Sequence, residues 1–150
     1  MSWQSIDIKN KIVKILEELK ISYQEERDCS LIQMTPNSEY DFGTTVDIFI
    51  WYTYPHLAIR IPNPVSNDKR LQLFEFMNML NRDTQFSTVL LQNNPEQENL
   101  TLSLNTGSIE RIPSSIKDTL KFIGKVERAL DMIANGNNPH AVYLVCEFED

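Results

Sequence analysis

The stretch Thr45–Thr53 constrains the fold more than any other part of the sequence. It reads Thr-Val-Asp-Ile-Phe-Ile-Trp-Tyr-Thr, a run of β-branched and aromatic residues that only Asp47 interrupts. Such residues suit a pleated, half-buried surface. As a strand it sends Val46, Ile48, Ile50 and Tyr52 to one face and Asp47, Phe49, Trp51 and Thr53 to the other. A sheet with one solvated face shows polar residues on that face, and Phe49 and Trp51 depart from the pattern. Phe86–Gln92 repeats the departure, with Phe86, Thr88 and Leu90 on one side and Ser87, Val89 and Leu91 on the other. Either helices cover both faces, or the second face is a docking or dimer surface, where aromatic anchors are enriched. On the second reading Phe49, Trp51, Val89 and Leu91 are the partner-binding residues.

The rest of the chain supplies a sheet and its helices. Ile8, Ile12, Ile15, Leu16 and Leu19 form one apolar stripe, which predicts a helix over about 7–20 with Asp7 as its cap. Short strands are expected at Ile21–Glu26 and Ser30–Thr35, the latter stopped by Pro36. His56–Ile61 alternates and ends at Pro62 and Pro64. A second helix over about Asp68–Asn81 carries apolar residues on more than one stripe, so it should be buried on two sides. Phe74, Met77 and Met79 belong to the core or meet a symmetry mate. Asn99–Asn105 alternates cleanly, with Leu100, Leu102 and Leu104 inward. Ile116, Leu120, Ile123, Val126, Leu130 and Ile133 mark a third helix over about Pro113–Asn135, with Gly136 where a left-handed C-cap is wanted. Ala141–Phe148 is β-prone and has three open readings: an edge strand of its own sheet, a strand donated to a neighbour, or a disordered end, with ordered pairing preferred. The order is helix, four strands, helix, two strands, helix. Short connections between strands favour antiparallel pairing. The expectation is one α+β domain across 1–150, with an antiparallel sheet of five to six strands packed against three helices.

Charge and composition exclude several functions. Lys and Arg number 14 against 21 Asp and Glu, a net charge of −7. Duplex binding draws its affinity from cations on phosphates, and polybasic membrane attachment needs the same charges. Neither nucleic acid nor membrane is therefore an expected partner. Four glycines, Gly43, Gly107, Gly124 and Gly136, lie too far apart for a phosphate-cradling loop. Met1–Ser5 has neither the basic nor the apolar region of a signal peptide, and no apolar run reaches the roughly 20 residues of a membrane span. A cytoplasmic location is expected. The sequon Asn99-Leu100-Thr101 then has no glycosylation to serve. Cys29 and Cys146 read as buried thiols or as one disulfide.

The chemistry-bearing residues form no catalytic pattern. His56 and His140 are the only histidines and stand in no zinc-helix spacing. His140, Cys146, Glu147 and Glu149 could be drawn together around a metal, but a solvated loop and tail explains them. Glu25, Glu26 and Asp28 beside Cys29 would raise its pKa, which argues against a nucleophile. Asp41 with Asp47, or Glu25 with Glu26, are ordinary for so acidic a domain. No cofactor or metal is expected.

The order of elements resembles the YbjN-type domain, which shares its fold with type III secretion chaperones. The resemblance lies in the layout over 8–135 and in one segment. There an amphipathic helix ends Phe76-Met77-Asn78-Met79-Leu80-Asn81-Arg82-Asp83 and a strand begins Thr84-Gln85-Phe86, with Pro62 and Pro64 ahead of the helix. Ser87 stands where the family often has glycine. The resemblance implies a bacterial, cytoplasmic domain without known chemistry. It also implies kinship with small acidic homodimers that hold extended segments of a partner protein, and with sensory or stress regulators. The expected function is a non-enzymatic, chaperone-like or regulatory protein-binding module that acts as a homodimer. The alternatives are a small-molecule enzyme built around Asp47, His56 or Cys29, and a structural subunit of a larger assembly.

Overall fold

The computed structural model describes residues 3–25, 31–50, 56–94, 97–105 and 111–148. Helix α1 (Trp3–Glu18) is followed by four strands, β1 (Ser22–Glu25), β2 (Leu31–Thr35), β3 (Thr45–Phe49) and β4 (His56–Pro62). A single 3₁₀ turn leads into α2 (Arg70–Asp83), then come β5 (Ser87–Asn94), β6 (Gln97–Asn105), α3 (Ile112–Ala134) and α4 (Pro139–Val145). The six strands form one sheet in the order β1-β2-β3-β4-β6-β5, and every neighbouring pair is antiparallel. The chain between β4 and β5 crosses over β6 through α2, so β5 becomes an edge.

Register sets which side chains share a face. Ile32, Ile48, Leu57 and Leu104 follow one another across four strands, as do Met34, Val46, Ile59 and Leu102. All but the half-buried Leu104 are fully buried, against Ile12 and Leu16 of α1, Leu73, Phe76 and Leu80 of α2, and Ile116, Val126, Leu130 and Ile133 of α3. The expectation that α2 is buried on two sides holds in part. Phe76, Met77, Met79 and Leu80 are core, while Leu71 and Phe74 remain exposed, with the Arg70 guanidinium over the Phe74 ring.

Two expectations are corrected. Asp7 does not cap the first helix, because α1 already begins at Trp3 and Asp7 lies within it. Ala141–Phe148 is no strand; Pro139–Val145 is a fourth helix. The Asn138 side chain caps it, accepting from the N–H groups of His140 and Ala141, and Pro139 occupies the first turn. Asn followed by Pro is a helix-start signal that overrides the β propensity of the residues after it. Helical spacing then buries Val142, Tyr143 and Cys146 against α2 and α3.

Three helices end alike. At α1, Lys20 N–H bonds Glu17 C=O and Ile21 N–H bonds Leu16 C=O. The same two bonds recur after α3, from Gly136 and Asn137, and after α4, from Glu147 and Phe148. This pairing needs a left-handed residue. Gly136 supplies it as expected, at φ +93°, but Lys20 and Glu147 supply it at φ +57° and +59° without being glycine.

Candidate functional site: the uncovered sheet face

The helices pack on one face of the sheet. Among the described residues no helix lies on the other, although Asp47, Asn99 and Thr101 on it are buried. Its centre is polar. The Asp47 side chain is almost wholly buried, paired with the Arg60 guanidinium, and accepts a hydrogen bond from Gln33 Nε2 at 2.9 Å. Register explains the geometry. Asp47 stands opposite Ala58, whose small side chain lets Arg60 reach back diagonally from two residues along β4. Beside this pair, Thr101 Oγ1 is buried without a hydrogen-bond partner.

The apolar residues on this face occupy two separated places. Phe49 is half-buried at the end of β3, with the ring of its register partner His56 stacked on it at 4.3 Å and 20°. Val89 and Leu91 lie on β5, 46% and 48% exposed. Three inter-strand steps, about 14 Å, separate β3 from β5. The register adds a further offset, since Val89 aligns through Thr101 and Arg60 with Thr45, four residues from Phe49. The structure therefore joins Val89 with Leu91 and sets Phe49 apart from them. Trp51 and Cys29 lie outside the described residues.

The two edges of the sheet differ in chemistry. Edge β1 has four residues, and its Glu25 is paired with Lys9 at 3.3 Å. Edge β5 has eight, Ser-Thr-Val-Leu-Leu-Gln-Asn-Asn, with no charge and no proline. Short strands and charges protect an edge from pairing with other chains, and β5 has neither. The Thr88 N–H on this edge donates to Asn81 Oδ1 at 2.7 Å, so Thr88 turns its peptide away from β6. By the alternation of antiparallel ladders, Leu90 turns its N–H and C=O outward too.

His140 is exposed in the first turn of α4. Cys146 is a free, buried thiol whose pKa burial raises, the opposite of what a nucleophile needs. Among the described residues no three His, Cys, Asp or Glu side chains converge on a metal position, and no helix is long and apolar enough to cross a membrane. One residue has no counterpart among the sequence expectations. Glu127 is buried within α3 and bonded to Ser38 and Thr44 of the β2–β3 connection. Its signal is an acid four residues after Ile123, on the apolar stripe itself.

The backbone matches the crystal structure of YbjN from E. coli, described as a candidate transcription regulator. The TM-score is 0.53 and the identity 14%, over 85% of this chain and 90% of that one. The chain has the YbjN-like α+β fold. No family model matches the sequence, and no curated protein does.

Proposed function

We propose that this YbjN-like chain is a non-enzymatic protein-binding module, chaperone-like or regulatory, that holds an apolar or extended segment of a partner protein, and that it self-associates as a homodimer. The observation that carries the reading is the β5 edge. An eight-residue strand with outward peptide groups, no charge and two half-exposed aliphatic side chains is built for strand addition. Its lack of charge also suits a second copy, which would compete with a partner's segment for the edge, because a two-fold antiparallel pairing would bring any charge on the strand near its own like. Centred on Leu90, such a pairing sets Val89 beside the other copy's Leu91. The description of YbjN as a candidate regulator agrees with a binding role. Phe49, set apart from Val89 and Leu91, is proposed as a second contact for the partner, and Trp51, outside the described residues, is kept as a partner-binding residue from the sequence alone.

Val89→Lys combined with Leu91→Lys tests the reading. Both side chains are half-exposed, so the fold should keep its thermal midpoint. Light scattering of the wild type should show a dimer fraction that grows as the concentration is raised, and the double variant should stay monomeric over the same range. A tagged wild-type chain should also retain, in fixed ratio, a partner that the double variant loses. A wild-type monomer whose captured proteins are unchanged by the two lysines would defeat the proposal.

A further inference from the structure

Away from the sheet face, a cavity of about 490 Å³ opens between the end of α1, the β2–β3 connection and α3. Glu127 lines it and is only 2% exposed. The Ser38 hydroxyl lies 3.0 and 2.9 Å from its two carboxylate oxygens, and the Thr44 hydroxyl donates to Oε2 at 3.0 Å. Ser38 Oγ is itself held by the Tyr40 N–H at 2.9 Å. Two hydroxyl protons thus serve a group with about four acceptor positions. Among the described residues no Lys, Arg or His side chain pairs with it. A buried acid without a cation is costly, and burial pushes its pKa up accordingly.

Leu19, Leu120 and Ile123 give the cavity an aliphatic wall, while the exposed side chains of Glu39 and Arg128, opposite in charge, also line it. Gly124 stands on the same wall in mid-helix, where a Cβ would meet nothing within 4 Å. Glycine there weakens α3 and keeps the space open. An acid serving only to fasten the β2–β3 connection would need neither the cavity nor that glycine.

We propose that this cavity binds a protonated alkyl amine, its ammonium group hydrogen-bonded to the Glu127 carboxylate and its hydrocarbon stem against Leu19, Leu120 and Ile123. The two hydroxyls already on the carboxylate leave no room for the two-pronged approach of a guanidinium, whereas a compact ammonium needs a single free acceptor. A divalent metal is disfavoured, because it would require several anionic or carbonyl ligands and the hydroxyls here spend their protons on the acid. The amine could be a free metabolite or the lysine side chain of a polypeptide.

Isothermal titration with n-pentylamine hydrochloride, 1-pentanol and an acetylated, amidated Gly-Lys-Gly peptide tests the site. Pentylammonium should bind at least about tenfold more tightly than pentanol, the factor expected of one charged hydrogen bond. Glu127→Gln should lose about that factor. Gly124→Leu, which fills the cavity and leaves the carboxylate in place, should lose binding without lowering the thermal midpoint. Peptide binding equal to that of the free amine would assign the site to a lysine side chain, and binding of the free amine alone to a small molecule. The proposal is overturned if no amine binds at millimolar concentration, if pentanol binds as well as pentylammonium, or if both variants bind undiminished. The β5 lysine variants leave this site intact, so the two proposals fail separately.

Discussion

Replacing Arg60 by Met should destabilise the protein more than its position on an uncovered face suggests. The Arg60 side chain is 40% exposed and its partner Asp47 only 2%. Removing one partner of a wholly buried ion pair costs about 3–5 kcal/mol, because the other charge is stranded. Here the lost partner is half in solvent, and water can approach the stranded acid through the space it leaves. About half the penalty survives this screening, roughly 2 kcal/mol. The Gln33 hydrogen bond to Asp47 remains and holds the acid in place. For a chain of this size the loss lowers the thermal midpoint by about 4–8 °C. Asp47→Asn alone should cost about 1 kcal/mol or less, since Arg60 can then turn to water. The double variant should be no worse than Asp47→Asn, a coupling of about 2 kcal/mol between the two sites. Urea and thermal unfolding of the four proteins, followed by circular dichroism, measure the cycle. A loss below about 0.5 kcal/mol for Arg60→Met, or strict additivity in the double variant, would refute the reasoning, since surface pairs contribute no more than that.

Glu127→Gln should change how stability depends on pH. Burial raises the Glu127 pKa in the folded state, so the wild type loses stability as pH rises from the ordinary carboxyl value of 4.5 through the folded one. The variant should be at least as stable as the wild type at pH 7, with the difference closing toward pH 4.5; a variant clearly weaker at pH 7 would contradict this. Glu98 has the opposite sign. The Arg70 guanidinium, bonded to both its oxygens, holds its pKa below the ordinary value, so Glu98→Gln should remove stability at neutral pH and little in acid, checked by urea unfolding at both. Lys20→Gly should stabilise by about 1 kcal/mol, because a left-handed side-chain residue costs that much over glycine, whereas Gly136→Ala should destabilise by about the same amount. Thermal midpoints moving in the same direction for both would contradict the assignment of the helix ends.

The sheet is legible in the sequence because its signals are local. Alternation places the inward residues of β4 and β6 correctly, and the interrupted apolar run at Thr45 marks β3. That the described helices all lie on one face is not legible. An exposed Val89 and a buried one look identical in sequence, and the answer depends on where the loops send the helices. Helix α4 departs from expectation for a different reason: the propensity of Ala141–Phe148 points to a strand, while the cap at Asn138, one residue ahead of Pro139, decides the outcome. Asp47 is visible as an interruption, but its burial comes from Arg60 and Gln33, which alignment across three strands brings to it. Glu127 is legible in principle, since an acid on an otherwise apolar helical stripe is an anomaly by spacing alone. Its partners Ser38 and Thr44 lie more than 80 residues away, and no spacing rule reaches that far.

The β5 edge sets a limit on what strand addition alone can achieve. Asn81 already holds the Thr88 N–H, so an added strand begins pairing in earnest at Leu90. Only two to four backbone hydrogen bonds are then available, at about 1 kcal/mol net each. Covering Val89 and Leu91, each already half-buried, adds about 1 kcal/mol apiece. The sum, about 4–6 kcal/mol, falls short of the roughly 8.2 kcal/mol of a micromolar complex even without subtracting any association cost. A partner held more tightly must cover more of the sheet face than its edge, crossing the Asp47–Arg60 centre toward the Phe49 corner. For such a partner, Phe49→Ala should weaken binding alongside Leu91→Ala even though the two side chains are three strands apart. A partner held by the edge alone would ignore Phe49→Ala, and its affinity, read by titration against the wild type, would be weaker than micromolar. A micromolar partner indifferent to Phe49→Ala would show that the contact lies elsewhere on the molecule.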